Sequence, residues 1–497
     1  MMYLYVMASE EMITITKAEY DRLLAQQTEI DYLKHQLAEL KRLIFGTKSE
    51  RFISPDPHQG SLFDLPVAES TEKEQEDISY TRTKPEKAEK KHPLRAELPS
   101  HLLRKTEVIE PENVPEGAKH IGDEVTEVLE YDPANIYVRR IVRPKYIVAS
   151  SDESTKIAIA DLPSLPIPKG NAGSSMIAYI LISKFIDHLP YFRQSKMLKR
   201  QNLHIPDSTI GGWANAAIER WLIPVHDVLR KLIVQTNYLG ADETPMPVLS
   251  EDKPGATHRG YYWVYFDPVR KLVCFDYRKT RGREGPRDFL NGFTGHLLSD
   301  GYGAYSDLDP EGLIVHLACW AHVRRKYEHS KANDKRRSEE MLSMIQRLYE
   351  VEREAKDRNL TYQEIKELRQ EKSTVILKEI ELCLEKESGS VLPKSAIGMA
   401  ISYTVKLWPR LTRYTEDGRF NIDNNLVENA IRPVALGRKN YLFAGSHEAA
   451  QRGAVIYSLI ATCQLRGVEP FTWIKNLLDK VPDYPANRLE ELLPGNF

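Results

Sequence analysis

Between residues 237 and 320 the chain changes from helical to strand periodicity, and this block constrains the fold more than any other. NYLGADET (237–244) is followed by GYYWVYF (260–266), a turn at Asp267-Pro268, and KLVCFDY (271–277). A short helical piece, PRDFLNGF (286–293), leads to HLLSDGYGAY (296–305), and LIVHLACW (313–320) closes the set. Three strands joined by short loops, then two reached through helical crossovers, predict a mixed five-stranded sheet of α/β type. Two acids stand where strands are expected to stop. Asp242 follows the apolar run 238–241, and Asp300 is followed by Gly301, which lets the backbone turn and leaves the carboxylate open. A single aspartate at such a place is ordinarily a turn former or a helix cap.

A third acid arrives on a helix. In IDNNLVENAIRPVALGRK (422–439), taking Glu428 as reference, Asn424, Asn425, Asn429 and Arg432 fall within about 100° of it on a helical wheel. Leu426, Val427, Ala430, Ile431 and Val434 fill the opposite arc. One carboxylate thus sits on a face otherwise made of amide and guanidinium, with an apolar back to dock on a core. The plainer alternative is a solvated face with an (i, i+4) Glu428–Arg432 pair. Pro433 lacks an amide and clashes with the carbonyl of Asn429, so the helix is expected to kink or end there. That would aim Glu428 inward and send Arg438 and Lys439 outward from the core. Three carboxylates from separate elements can converge at the carboxyl edge of an open sheet. Such hard oxygen donors suit Mg²⁺ or Mn²⁺, not zinc. Two such ions about 3.5–4 Å apart activate a water or a 3′-hydroxyl and stabilise the leaving oxygen of a phosphodiester displacement.

The rest of the chain reads as a series of attachments to this core. A length of 497 residues is too great for one core. Over 15–44, Leu23, Ile30, Leu37 and Ile44 take a positions and Leu33 and Leu40 take d, with Gln26 as a polar exception. This is a short coiled coil suited to self-association, or a lone amphipathic helix packed on its own chain. From 46 to 92 an acidic block (69–77) and a basic block (82–91) read as a linker. A β-rich unit follows, with a hairpin around DPAN (132–135). Its second strand carries Arg139, Arg140, Arg143 and Lys145, which face either phosphates or solvent. LPYFRQSKMLKRQNLHIPDSTIGGWANAA (189–217) reads as two helices connected at 202–206, with Asp207 or Ser208 as cap of the second. Arg193, Lys196, Lys199 and Arg200 crowd the first, and both a helix-turn-helix DNA reader and a plain helical hairpin stay open. The domain boundaries that follow are 1–50 (zipper), 51–95 (linker), 96–165 (small β-rich domain), 166–235 (helix-turn-helix-like region), 236–330 (core, first part), 331–414 (helical insertion), 415–450 (core, second part) and 451–497 (helical tail).

A formal charge of −2 excludes a uniformly basic nucleic-acid binder, so DNA contacts must come from local patches. Four scattered cysteines without a CxxC fit a reducing compartment. The longest apolar runs, 176–182 and 455–463, fall far short of the roughly 20 residues a membrane helix needs. MMYLYVM lacks a basic n-region. The expected location is cytoplasmic.

Taken together the motifs resemble the transposases of the insertion sequence 66 (IS-66) family, DDE-type enzymes with a ribonuclease-H-like core. The resemblance runs almost end to end, through FGTKSER (45–51), VRPKY (142–146), DHLPYFRQ (187–194), ADETP (241–245), SDGYGAY (299–305), CWAHVRRKY (319–327), NNLVENAIRP (424–433), GRKNYLFAGS (437–446) and LLPGNF (492–497). It implies that Asp242, Asp300 and Glu428 are the catalytic, metal-binding acids. It implies metal-dependent strand cleavage at element ends, then attack of the freed 3′-hydroxyl on target DNA. Arg432, Arg438 and Lys439 would lie near the site and contact phosphates. Arg193, Lys199 and Arg200 are candidate DNA contacts on the helical hairpin, and Arg324 and Arg325 a candidate cluster after the last strand. The partners implied are element ends, target DNA, a second copy through the zipper, and accessory proteins encoded beside the family's transposases.

CWAHVRRKYEHS (319–330), with His316 just before it, also invites a zinc reading through His316, Cys319, His322 and His329. The spacing crosses a strand-to-helix junction and no second paired cluster exists, so Cys319 and His322 are expected to support the site instead. The family commonly has a cysteine-containing zinc segment in the region of 96–160, but this chain has no cysteine before Cys274. ENVPEGAKH (112–120) and IVASSDE (147–153) stand in its place, and no structural zinc is expected there. Two rivals remain beside the transposase: a nuclease with the same core that cuts without joining, and a catalytically silent DNA-binding regulator.

Overall fold

The computed structural model describes residues 4–8, 11–15, 98–111, 118–132, 135–149, 155–250, 253, 255–305 and 312–496. It divides into two units, 1–89 and 90–497. In the first, β1 (Leu4–Ala8) and β2 (Glu11–Ile15) form an antiparallel hairpin. The heptad segment and the charged linker lie outside the described residues.

The second unit begins with a four-stranded sheet of β3 (Arg104–Val108), β4 (Lys119–Asp132), β5 (Asn135–Ala149) and β6 (Thr155–Ile159). The hairpin expected at DPAN is β4–β5, closed by the Asp132/Asn135 pair and longer than the sequence pattern suggests. On the other edge of β5, β3 pairs with its first half and β6 with its end. Three of the four cations of β5 meet carboxylates across the sheet, and Arg140 is exposed. Arg139 pairs with Glu107 at 2.8 Å, and Arg143 and Lys145 pair with Glu124 at 2.6 and 3.0 Å. Opposite charges on neighbouring strands stabilise register, so this pairing occupies three of the groups that might have faced phosphates.

Four helices lead from this sheet to the next: α1 (Ser174–Phe185), α2 (Tyr191–Arg200), α3 (Asp207–Ala217) and α4 (Ile223–Val234). The α2–α3 pair is the expected hairpin, with Asn202 at φ 58° in its connection. The cap differs from expectation. Pro206 precedes α3 without a side-chain cap, and Asp207 is the first helical residue, bonding the amide of Ser208. Proline at that position pre-sets the backbone at the entry of the helix, but as N-cap it has no side-chain oxygen to offer the first-turn amides.

The central sheet comprises β7 (Tyr238–Leu249), β8 (Thr257–Asp267), β9 (Leu272–Arg278), β10 (Gly295–Ser299) and β11 (Ile314–Ala318). Its order is β11-β10-β7-β8-β9, with β7–β8–β9 antiparallel and β7, β10 and β11 parallel. It is the mixed five-stranded sheet expected. The first crossover carries α5 (Glu284–Phe289). The second carries a single 3₁₀ turn, Gly303–Tyr305, among its described residues, where a helical crossover was expected.

Two cores cover this sheet. One is built from α6 (Trp320–Ser330), α7 (Lys335–Asp357), α8 (Tyr362–Leu368), α9 (Thr374–Ser388) and α10 (Ala396–Thr412), packed with Tyr238, Leu298 and Leu317 of the strands. The other runs from α1 through the sheet to α11 (Asn425–Tyr441), α12 (His447–Leu465) and α13 (Pro470–Lys480). Helix α12 also protects the edge strand β9. Its Ser458 and Thr462 hydroxyls accept from the amides of Phe275 and Val273 at 2.7 and 3.2 Å. Hydroxyls thereby occupy donors that an open edge would offer to another chain. No described helix is long and apolar enough to cross a membrane.

Candidate active site

The site is built where the sheet forks. The β7–β10 pairing stops at Gly240/Leu298, while β7 runs on beside β8 to Leu249. Asp242 is therefore inside a strand, not at its end as the sequence suggested, because β8 continues to hold β7 extended beyond the point where β10 leaves. Asp242 and Asp300 each stand two residues past the same pair, on neighbouring strands, so alternation directs Asp242 to the face of Gly240. Asp300 follows β10 directly. Its carboxylate accepts the Tyr302 amide at 2.8 Å, and its carbonyl accepts the Tyr403 hydroxyl of α10 at 2.6 Å. Gly301 turns the chain at φ +84°, and a Cβ there would lie 2.9 Å from Leu407.

Helix α11 docks onto the same face through its first turn. Asn424, expected on the polar face, is buried. Its amide side chain donates to the Ala241 carbonyl at 2.8 Å, and its backbone N–H donates to Cys319 Sγ at 3.2 Å. The close approach needs a glycine: a Cβ on Gly240 would sit 2.8 Å from Val427 and 2.9 Å from Asn424 Oδ1. This brings Glu428, next to Val427, over the Asp242 strand. Its ion pair is with Arg325 of α6 at 3.6 Å, not with Arg432, which is exposed. Pro433 does not end the helix, which runs on to Tyr441. Val427 and Val434 are buried as an apolar back requires, but Leu426 is 42% exposed.

The electrostatics are those of too much negative charge in too little water. Burial, the adjoining Glu243, and the charges of Asp300 and Glu428 push the Asp242 carboxyl up to about 8. His322, in the first turn of α6, faces the same group. Burial and Arg325 lower its pKa against the opposing pull of Asp300 and Glu428. Its Nδ1 is buried without a hydrogen-bond partner. Burial pushes the Cys319 thiol up to about 12, so it is a protonated acceptor beneath Asn424 and not a thiolate. Crowded carboxylates, one held protonated, beside an orphaned imidazole nitrogen fit a divalent cation, although no three His, Cys, Asp or Glu groups close to ligating geometry among the described residues.

Residues 169–452, more than half of the chain, match the Transposase IS66 family. This chain belongs to the IS66 transposase family. Residues 458–494 match the IS66 C-terminal element, and residues 32–106 match a segment described as Transposase C of IS166 homeodomain. Two relatives come from Sinorhizobium fredii (strain NBRC 101917 / NGR234). The uncharacterized protein y4qI is 31% identical, over 99% of this chain and 94% of the relative. The uncharacterized protein y4jD is 30% identical, over 94% of each.

In this IS66-family chain the cations singled out from the sequence fall into different settings. Arg193, Lys199 and Arg200 are exposed on α2, and Arg193 reaches Asn440 at the end of α11 at 3.4 Å. Lys439 is exposed beside that contact. Arg438 is half-buried near Tyr441, Tyr457 and Tyr262, and burial lowers its pKa. Arg325 turns to Glu428, whereas Arg324 is exposed and lies within electrostatic reach of Tyr349. The two therefore do not form one cluster, since adjacent helical residues point about 100° apart.

Sequence reasoning missed Glu243, whose side chain is 2% exposed and pairs with Arg281. It also missed Asn424 as the pivot of the docking and Gly240 as its condition. The signals were present: a second acid beside Asp242 in ADET, a glycine inside a strand, and the cationic run RKTRGR (278–283) after KLVCFDY.

Proposed function

We propose that the chain is a DNA transposase that cleaves element ends and joins the freed 3′-hydroxyl to target DNA. The observation that carries the reading is the shared register row of Asp242 and Asp300, with Glu428 brought over it by the contact of Val427 and Asn424 on Gly240. Numbered in chain order the central strands run 5-4-1-2-3, with the first three antiparallel and the last two parallel to the first, which supports a ribonuclease-H-like core.

Asp242, Asp300 and Glu428 would hold two Mg²⁺ or Mn²⁺ ions. Bound there, such ions supply an activated water or 3′-hydroxyl and charge stabilisation for the leaving oxygen. The protein's own groups prepare the site. Burial and the neighbouring carboxylates raise the Asp242 pKa to about 8, so its carboxyl holds a proton near neutral pH in the free protein. Arg325 steadies Glu428, and the Tyr302 amide and Tyr403 hydroxyl fix the Asp300 turn from both sides. Exposed Arg193, Lys199 and Arg200 on α2, with Arg324, Arg432 and Lys439, offer charge to the DNA backbone, and Arg438 supports them from its tyrosine setting. The α2–α3 hairpin is a candidate helix-turn-helix reader, and the heptads of 15–44 would assemble copies. Element-encoded accessory proteins complete the expected set of partners.

The test is a labelled duplex carrying the inverted repeats that flank the gene, incubated with the full chain and Mg²⁺ or Mn²⁺. Joined products are expected. Cleavage alone would favour the nuclease, and binding without metal-dependent chemistry the silent regulator. If Asp300→Ala left joining intact, the acid assignment would be wrong.

A further inference from the structure

We propose that Arg281 contacts a DNA phosphate beside the acid cluster and that the buried Glu243 is the positioning residue that presents it. The inference rests on the transposase reading and deepens it.

A chain of contacts runs from Asp242 to Asp300 through these two residues and Tyr302. The Asp242 carboxylate accepts the Glu243 amide at 2.8 Å. Glu243 Oε1 accepts Arg281 Nε at 2.8 Å and also bonds Nη2, while Oε2 accepts the Tyr305 hydroxyl at 3.2 Å. The Arg281 guanidinium lies 4.1 Å over the Tyr302 ring, and the Arg281 carbonyl accepts the Tyr302 hydroxyl at 3.1 Å. The Tyr302 amide then donates to Asp300.

A carboxylate that is 2% exposed is costly to bury, and an apolar residue would serve the core at lower cost. What the pair gives in return is orientation. Glu243 takes the Nε–Nη2 edge of the guanidinium, and Nη1 makes no hydrogen bond among the described residues. The Arg281 side chain is 45% exposed, and with its guanidinium held by Glu243 and stacked on the Tyr302 ring, the Nη1 side is left to meet a phosphate. Partial burial works against the cation. The bonds and charge of Glu243, with Tyr302 and Asp300 behind them, nevertheless raise its pKa above the ordinary value. Its neighbours differ. Arg278 is taken up by Asp276 and Asp288 at 2.6 and 2.8 Å. Lys279 and Arg283 are exposed and add positive charge around the same loop.

The experiment measures two things on the full-length chain: anisotropy of a labelled end duplex across a salt series in EDTA, and single-turnover cleavage in Mg²⁺. Arg281→Gln is expected to reduce the salt slope by about 0.9 and to slow cleavage about 10²-fold. Arg281→Lys should keep the slope and still lose rate, because it keeps charge without the fork. Glu243→Gln should leave DNA affinity equal or tighter while slowing cleavage roughly 10-fold, on the same principle of lost preorganisation. The double variant should be no slower than Arg281→Gln alone, since Glu243 positions the phosphate contact through Arg281, and losing its charge beside Asp242 eases that acid's ionisation and does not slow the reaction. Wild-type slope and rate in Arg281→Gln would overturn the inference and leave the transposase reading standing. So would additive losses in the double variant, or parallel loss of binding and circular dichroism in Glu243→Gln, which would mark a structural pair. A wild-type chain that neither binds nor cuts would remove both.

Discussion

The two sheets of the second unit handle charge in opposite ways. In the small sheet the cations face carboxylates: Arg104 meets Glu127 at 2.9 Å, Lys105 meets Asp132 at 3.1 Å, and Arg139, Arg143 and Lys145 meet Glu107 and Glu124. The pairs close on themselves and hold strands in register. At the fork of the central sheet, Asp242, Asp300 and Glu428 gather with Arg325 as the cation paired to Glu428, at 3.6 Å. Charged residues on strands are common to both regions, so their presence separates nothing. The balance does. A compensated set needs no visitor, whereas crowded carboxylates are stabilised by a cation from outside.

The largest expected effect tests that imbalance directly. Asp242→Asn should slow cleavage by about 10³-fold or more, roughly 4 kcal/mol of barrier, while making the metal-free fold more stable at pH 8. The sign follows from the raised pKa. The folded chain keeps the Asp242 proton up to about 8, whereas the unfolded chain releases it near 3.8. Between those values the folded state binds more protons, so stability falls as pH rises and levels off above about 8. Urea unfolding in EDTA at pH 5 and pH 8 should show this decline in the wild type and lose that part of it in Asp242→Asn. Equal slopes in the two proteins would mean that Asp242 is not the strained acid.

The strand and helix order of the core was legible because periodicity and glycine turns are local. The hairpin at DPAN, the sheet with its three-plus-two organisation, and the α2–α3 pair all follow from spacing along the chain. What was not legible depends on partners far away in sequence. Asn424 looked polar on a wheel, yet it is buried because Ala241 and Cys319 supply its hydrogen bonds. Asp242 looked terminal because the apolar run ends there, but β8 carries the strand onward. Pro433 looked like a stop, yet α11 continues because one missing amide does not outweigh the packing of Val427 and Val434 on the core. Arg139 and Arg143 of β5 left two settings open until Glu107 and Glu124 appeared as their partners.

The next effect sharpens the comparison by moving the acids without changing any charge. Gly240→Ala places a Cβ 2.8 Å from Val427 and 2.9 Å from Asn424, so α11 must back away by a few tenths of an ångström. A cost of about 1–3 kcal/mol in stability is expected, and cleavage should drop about 10-fold or more as Glu428 leaves its place. The check is urea unfolding together with cleavage per folded molecule. A stability loss without a rate loss would separate the docking of α11 from the chemistry.

The smallest effect is expected where charge is already balanced. Arg143 is 8% exposed, donates to the Ala160 carbonyl at 3.0 Å, and pairs with Glu124, which keeps Lys145 as a second partner. Arg143→Met retains the aliphatic stem but orphans that buried carbonyl, a loss of about 1–2 kcal/mol. Cleavage per folded molecule and the salt slope of DNA binding should both stay at the wild-type value. If the slope fell by about 0.9 instead, one phosphate contact would have been lost. The small sheet would then be a DNA-facing surface whose internal pairs are exchanged for phosphates on binding, and the contrast between balanced and unbalanced charge would hold only for the free protein.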